Sequence, residues 1–121
     1  MTVRAIRGAT TLDVDKAEHL HDRVQELMRE VLTRNDLTPD DFISIIFTAT
    51  PDIRSMFPAK AARDLGFDDV PLLGAQELDV DNGMALCVRL LAHVETDRAR
   101  GDMHHIFQYG AQALRTDLVD K

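Results

Sequence analysis

Residues 46–66 read Ile-Phe-Thr-Ala-Thr-Pro-Asp-Ile-Arg-Ser-Met-Phe-Pro-Ala-Lys-Ala-Ala-Arg-Asp-Leu-Gly, and the change of pattern inside this stretch decides the fold class. The β-branched, apolar run that leads into it (Ile43, Ile45, Ile46, Phe47) predicts a buried strand over 42–49. Thr50-Pro51 ends that strand, because proline donates no ladder hydrogen bond and drives the preceding residue towards extended backbone. Pro58 then brings the fixed φ favoured at a first helical position, alanines follow, and Gly66 stands where a helix end needs a left-handed residue. A short helix is predicted there. Asp52, Arg54, Ser55, Met56 and Phe57 form the intervening loop, and Lys60 and Arg63, three apart, share one helical face. Ligands of α/β proteins commonly sit between strand end and helix start, and two cations beside an aromatic suit an organic anion. A solvated amphipathic helix with no ligand has the same pattern.

Working outward, Val3, Ala5 and Arg7 alternate with Arg4 and Ile6, which predicts a strand over 2–8 ending at Gly8. Arg7 then shares a face with Val3 and Ala5, the apolar face if that side packs inward. Ala17, Leu20, Val24, Leu27, Val31 and Leu32 recur at spacings of three and four and predict a long amphipathic helix, about 14–34, ended by Asn35. Glu18, Asp22, Arg23, Glu26, Arg29 and Glu30 form its solvated face, and His19 and His21, two apart on a helix, diverge too far to share a metal. Thr38-Pro39-Asp40-Asp41 predicts a capped turn of helix. Downstream, residues 70–73 predict a short strand, placed at an edge by Pro71. Residues 74–78 add small residues and one acid, Glu77. Asp79 to Gly83 resembles a calcium loop, but Leu90 stands where its closing glutamate belongs. Residues 84–94 are apolar and alternate as a strand, with Arg89 a cation inside the run. A buried arginine is costly unless it meets an acid or an anionic ligand. A charged loop over 97–102, a last strand over 104–109 with adjacent, diverging His104 and His105, and a tail carrying Arg115 complete the chain. The fold class is α/β (α+β), a mixed sheet of five strands on one long and one short helix.

Composition bounds the rest. A chain of 121 residues, 45% hydrophobic, fits one domain spanning 1–121. The single cysteine, Cys87, excludes an internal disulfide framework, and with no leader-like segment the cytoplasm is the expected compartment. No apolar run approaches membrane-spanning length, and a formal charge of −7 with few aromatics argues against nucleic-acid and anionic-membrane surfaces. There is no glycine-rich phosphate loop, no Cys-x-x-Cys pair and no nucleophile elbow. What recurs is a cation at a strand end or on a strand face: Arg7 and Arg89, joined by Lys60, Arg63 and Arg115. That inventory suits recognition of a carboxylate-rich small molecule without covalent catalysis.

Arg4-Ala5-Ile6-Arg7-Gly8-Ala9-Thr10-Thr11, Thr48-Ala49-Thr50-Pro51-Asp52, Phe57-Pro58-Ala59-Lys60-Ala61-Ala62-Arg63, Val70-Pro71, Gln76-Glu77-Leu78-Asp79-Val80, Cys87-Val88-Arg89 and Leu114-Arg115-Thr116-Asp117-Leu118 occur in an order and spacing that resembles the monofunctional, trimeric (Bacillus-type) class of chorismate mutases. The resemblance implies a mixed sheet with helices on one side and a homotrimer whose sheets form a pseudo-α/β-barrel core. It also implies active sites between subunits and conversion of chorismate to prephenate, on the route to phenylalanine and tyrosine, with no cofactor or metal. A reactive-intermediate deaminase-like trimer and a non-catalytic binding module for an aromatic-pathway acid are the alternative readings.

By this resemblance Arg89, Arg7 and Glu77 are the catalytic residues: Arg7 on a substrate carboxylate, Arg89 against the breaking ether oxygen and a carboxylate, Glu77 on the ring hydroxyl. Phe57 would pack on the ring from a neighbouring subunit, and Lys60, Arg63 and Arg115 would supply positive field. Leu73, Gly74, Ala75, Gln76, Phe107 and Leu114 complete the expected substrate-binding set. Two positions depart from the family's pattern. Gly74 replaces a frequent cysteine, and Phe107 replaces a usual tyrosine, with Tyr109 expected on the same strand face about 7 Å further along.

Overall fold

The computed structural model describes residues 2–114. In chain order they form β1 (Thr2–Thr11), α1 (Ala17–Asn35), a 3-10 turn (Pro39–Asp41), β2 (Phe42–Ala49), α2 (Pro58–Ala62), β3 (Leu72–Gln76), β4 (Cys87–Thr96), β5 (Ile106–Phe107) and a 3-10 segment (Tyr109–Ala113). The sheet order is β3-β2-β4-β1-β5, with β4 antiparallel to both neighbours and the outer pairs, β2 with β3 and β1 with β5, parallel. The mixed five-stranded sheet with one long and one short helix is therefore present.

The helices cover one face only. Ile6 and Gly8 of β1, Ile45 and Phe47 of β2, and Val88, Leu90, Ala92 and Val94 of β4 point to α1, whose Leu20, Val24, Leu27, Met28 and Val31 are buried against them. Each fully buried aliphatic or aromatic side chain contributes about 1.5–3 kcal/mol, so this seam dominates stability. Gly8 lets the strand and helix pack closely there: a Cβ would lie 3.1 Å from Leu90 Cγ and 3.4 Å from Leu27 Cδ1, so both leucines would have to give way slightly. Phe42 and Phe67 close the far end edge to face, with ring centres 5.0 Å apart.

Arg7 lies on the opposite face from this core, with Val3 and Ala5. The inward packing considered for that set is thus reversed, because Ile6 and Gly8 are the residues that meet α1. β1 also runs three residues past Gly8, since β4 continues opposite it as far as Cys87.

Local stop signals act as expected at Thr50-Pro51 and at Pro58, and Gly66 adopts φ 111 where a widened turn, Arg63–Phe67, leaves α2. The Thr38 and Asp41 capping box starts the 3-10 turn. Helix α1 begins at Ala17 rather than near 14. Its last residue, Asn35, is buried, donating to Val31 O and His104 O and accepting from His104 N–H.

Three further strands differ in extent from the prediction. β4 spans Cys87–Thr96 rather than 84–94, because its pairing with β1 runs from Cys87 opposite Thr11 to Thr96 opposite Thr2. β3 is an edge strand but spans Leu72–Gln76 rather than 70–73, because its hydrogen bonds follow β2 to its end and Glu77 N–H donates to Ala49 O. β5 has only Ile106 and Phe107; Tyr109 leaves the strand at φ 54, so it does not share a face with Phe107. Instead its hydroxyl meets Glu26 and its ring lies under Arg23.

Candidate active site

One rung of the sheet organises the site. Cross-strand register sets Ala75, Thr48, Arg89, Ala9 and Phe107 in line on the face that the helices leave open. The adjacent rung is Leu73, Ile46, Leu91 and Arg7. Arg7 and Arg89 are thus diagonal neighbours on one face, at a spacing of about 7–8 Å.

Glu77 reaches this rung from beyond β3. Its Oε1 accepts a hydrogen bond from Thr48 Oγ1 at 2.6 Å and lies 3.6 Å from Arg89 Nε. That second separation is an ion-pair distance but too long for a hydrogen bond. Arg89 Nε is buried and makes no hydrogen bond, although about a third of the side chain is exposed. A buried guanidinium donor without an acceptor is costly, and an incoming anion would satisfy it.

The environment of Arg7 is aromatic. Its guanidinium carbon lies 5.7 Å from the centre of the Phe107 ring, and its backbone N–H donates to His105 Nδ1. Phe107 is buried with Ala9 and Ala111, and Leu114 packs on that cluster. The phenylalanine at the expected tyrosine position supports Arg7 through its ring face.

Cys87, two residues before Arg89 on the same strand, is a buried free thiol. Burial pushes its pKa up; the Arg89 charge opposes that shift without cancelling it. The thiol is therefore protonated and inert near neutral pH.

Two adjoining depressions flank these groups. One, of about 560 Å³, is lined by Glu77, Arg89, Asp52, Arg54, Leu78 and Val80 among others. The other, of about 610 Å³, brings Phe57 together with Gly74, Ala75, Gln76, Met56 and Arg54. Both have the size of small-molecule sites. Of the two depressions, Arg89 and Glu77 line only the first. A Cβ at Gly74 would meet nothing within 4 Å, so the place of the expected cysteine side chain is open.

The remaining predicted residues lie apart from Arg89. Phe57 is 79% exposed at the start of α2. Lys60 is held by Asp64, 3.1 Å away, which also contacts His21 Nε2 at 2.9 Å, while Arg63 is exposed. The His21 hydrogen bond first, and Lys60 second, hold the Asp64 carboxyl below the usual range. Arg115 lies outside the described residues.

Three polar residues at the site, Thr48, Thr50 and Asp52, fall within a block that carries the family resemblance but were given no role in binding or catalysis. Thr48 is an ordinary strand threonine. Thr50 and Asp52 form a clasp: Thr50 Oγ1 donates to Asp52 Oδ1 and accepts from Cys87 N–H, while Asp52 Oδ2 accepts from Leu86 N–H at 2.9 Å. Leu86 needs such a tie because it is left-handed, at φ 48. Thr-Pro-Asp is a sequence in which side-chain-to-backbone turns form, which is the one clue available beforehand.

Comparison with known proteins follows the same residues. The family profile described as chorismate mutase type I matches residues 3–118. The chain is 36% identical over 119 residues to chorismate mutase AroH of Bacillus subtilis (strain 168), covering 98% of this chain and 94% of that one. It is 38% identical over 117 residues to chorismate mutase AroH of Thermus thermophilus, covering 96% of each. A solved chorismate mutase from Clostridium thermocellum superposes with a TM-score of 0.88 at 40% identity, over 90% of this chain and 97% of that one. With the profile matched over residues 3–118, relatives covering nearly the whole chain and a solved structure superposed over 90% of it, the chain belongs to the type I chorismate mutase family.

Proposed function

We propose that this chorismate mutase, an isomerase of aromatic amino acid biosynthesis, turns chorismate into prephenate by electrostatic and conformational stabilisation alone, at the open sheet face around Arg89. The rearrangement moves a carbon framework across a six-membered, chair-like transition state. It requires no nucleophile and no proton transfer. It requires a flexible dicarboxylate held folded, and a donor for the charge that grows on the breaking ether oxygen.

The observation that carries this reading is the buried, unbonded Nε of Arg89 beside Glu77. Arg89 would donate to the ether oxygen and a carboxylate, a fork complementary to the transition state. Arg7, one diagonal away on the same face, would take a carboxylate. Glu77 would accept the hydroxyl hydrogen bond. A preorganised donor of this kind contributes roughly 3–4 kcal/mol to the barrier reduction.

Phe57, Lys60 and Arg63 lie on or beside α2, which packs against α1, β2 and β3, and none of them lines the depression that holds Arg89 and Glu77. A homotrimer would supply them from a neighbour, with Leu73, Gly74, Ala75 and Gln76 at the junction, Leu114 and Phe107 beneath Arg7, and Arg115 at the mouth. The uncovered apolar side chains Val3 and Leu73 support such an assembly.

The test is loss of chorismate absorbance on adding purified protein, with acid conversion of the product to phenylpyruvate and an Arg89→Ala control. Turnover by the wild type and none by the control is expected. No turnover by the wild type would overturn the reading.

A further inference from the structure

We infer that Thr48 is a positioning residue: its hydroxyl keeps the Glu77 carboxylate off Arg89, leaving the guanidinium with a free donor for the substrate. The inference rests on the assignment of Arg89 and Glu77 proposed above. Register places Thr48 directly opposite Arg89, and Glu77 is tied to β2 twice, by its N–H to Ala49 O at 2.9 Å and by the Thr48 hydroxyl to Oε1 at 2.6 Å. The same Oε1 is the atom nearest Arg89 Nε, yet it stops 3.6 Å short. Opposite charges so close would ordinarily close to a hydrogen-bonded pair. A short hydrogen bond from Thr48 along the sheet opposes that closure.

The consequence is a site preorganised in a high-energy arrangement. Arg89 Nε is desolvated without an acceptor, and the carboxylate has one oxygen committed to Thr48. Substrate then gains the full bond to Arg89 instead of exchanging it for one already made to Glu77. Without the hydroxyl, Glu77 would turn to Arg89, and substrate would have to break that pair.

Thr48→Val keeps the β-branched shape on a half-buried strand position and removes only the donor. We expect kcat/KM to fall on the order of tenfold, with KM raised as well as kcat lowered, while Thr48→Ser restores most of the activity. In a Glu77→Ala background the Thr48→Val change should alter kcat/KM by less than about twofold, since its partner is gone. Circular dichroism and melting temperature are followed for each variant. Wild-type activity in Thr48→Val, no rescue by serine, or an undiminished effect without Glu77 would each overturn the inference. Absence of turnover in the wild type would instead overturn the proposed function.

Discussion

The guanidinium carbon of Arg23 lies 3.6 Å from the centre of the Tyr109 ring. The same guanidinium donates to Thr11 O and pairs with Asp13 at 2.9 Å, so one helical side chain ties the end of β1 to the segment after β5. Arg23→Ala should destabilise the protein by about 1–2 kcal/mol, read as a lower midpoint in urea. Tyr109→Phe keeps the ring under the cation and should cost less, losing only the Glu26 contact. An unchanged midpoint for Arg23→Ala would refute the tie.

Asp52 holds the left-handed Leu86 at the start of β4, three residues before Arg89. Asp52→Ala leaves that N–H without its acceptor and should cost about 2 kcal/mol. Hydrogen exchange at Leu86 and Cys87 should accelerate in the same variant. Protection equal to the wild type would show that the strand does not depend on the clasp.

Gly74 offers room for a side chain. Gly74→Cys should fold at least as well as the wild type, because glycine inside a strand costs roughly 0.5–1 kcal/mol relative to alanine. If a thiol there reaches the substrate hydroxyl, KM falls roughly two- to tenfold. A raised KM would show that the open space is used by substrate itself.

If Lys60 meets the substrate as proposed, Asp64, which holds it at 3.1 Å, would compete with that anion. Asp64→Asn should lower KM for chorismate about two- to fivefold at low ionic strength, and the gain should shrink with added salt. The pH dependence follows from the lowered Asp64 pKa. Its contribution to stability is complete above the ordinary carboxylate range and is lost as pH falls through the depressed value. A KM unmoved by Asp64→Asn would place Lys60 away from the ligand.

Cys87 has the opposite sign. Its folded pKa is raised above 9.0, so the unfolded thiol ionises first and stability falls as pH rises through that range. Cys87→Ala should flatten the alkaline limb of the stability profile. The native thiol should also resist alkylation until the chain unfolds. Rapid labelling of folded protein at pH 8 would contradict its burial.

Local signals in the sequence located most of the elements. Pro51, Pro58 and Gly66 act through their own backbone angles, so strand end, helix start and helix end are legible without tertiary information. The face of β1 is not, because alternation shows that Ile6 and Arg7 oppose each other but not which one meets a helix. Only the approach of Leu27 and Leu90 to Gly8 decides that. The bounds of β3 and β5 were likewise set by their partners, β2 and β1.

In the site, Arg7 and Arg89 stand out because a cation on a strand needs a reason. Glu77 and Phe57 gained their assignments from family resemblance. Thr48 and Asp52 stand in a family block without an assigned role, because threonines in strands and aspartates after proline are commonplace. Their importance arises from residues 29 and 34 positions away.

The face of the sheet left bare by the helices carries Val3 and Leu73 together with Arg7 and Arg89. A neighbour that shields the apolar pair also strips water from the cations, raising their pull on an anion as the local dielectric falls. Association and activation would then be one event. Dilution that separates the chains would dim catalysis before any strand unravels.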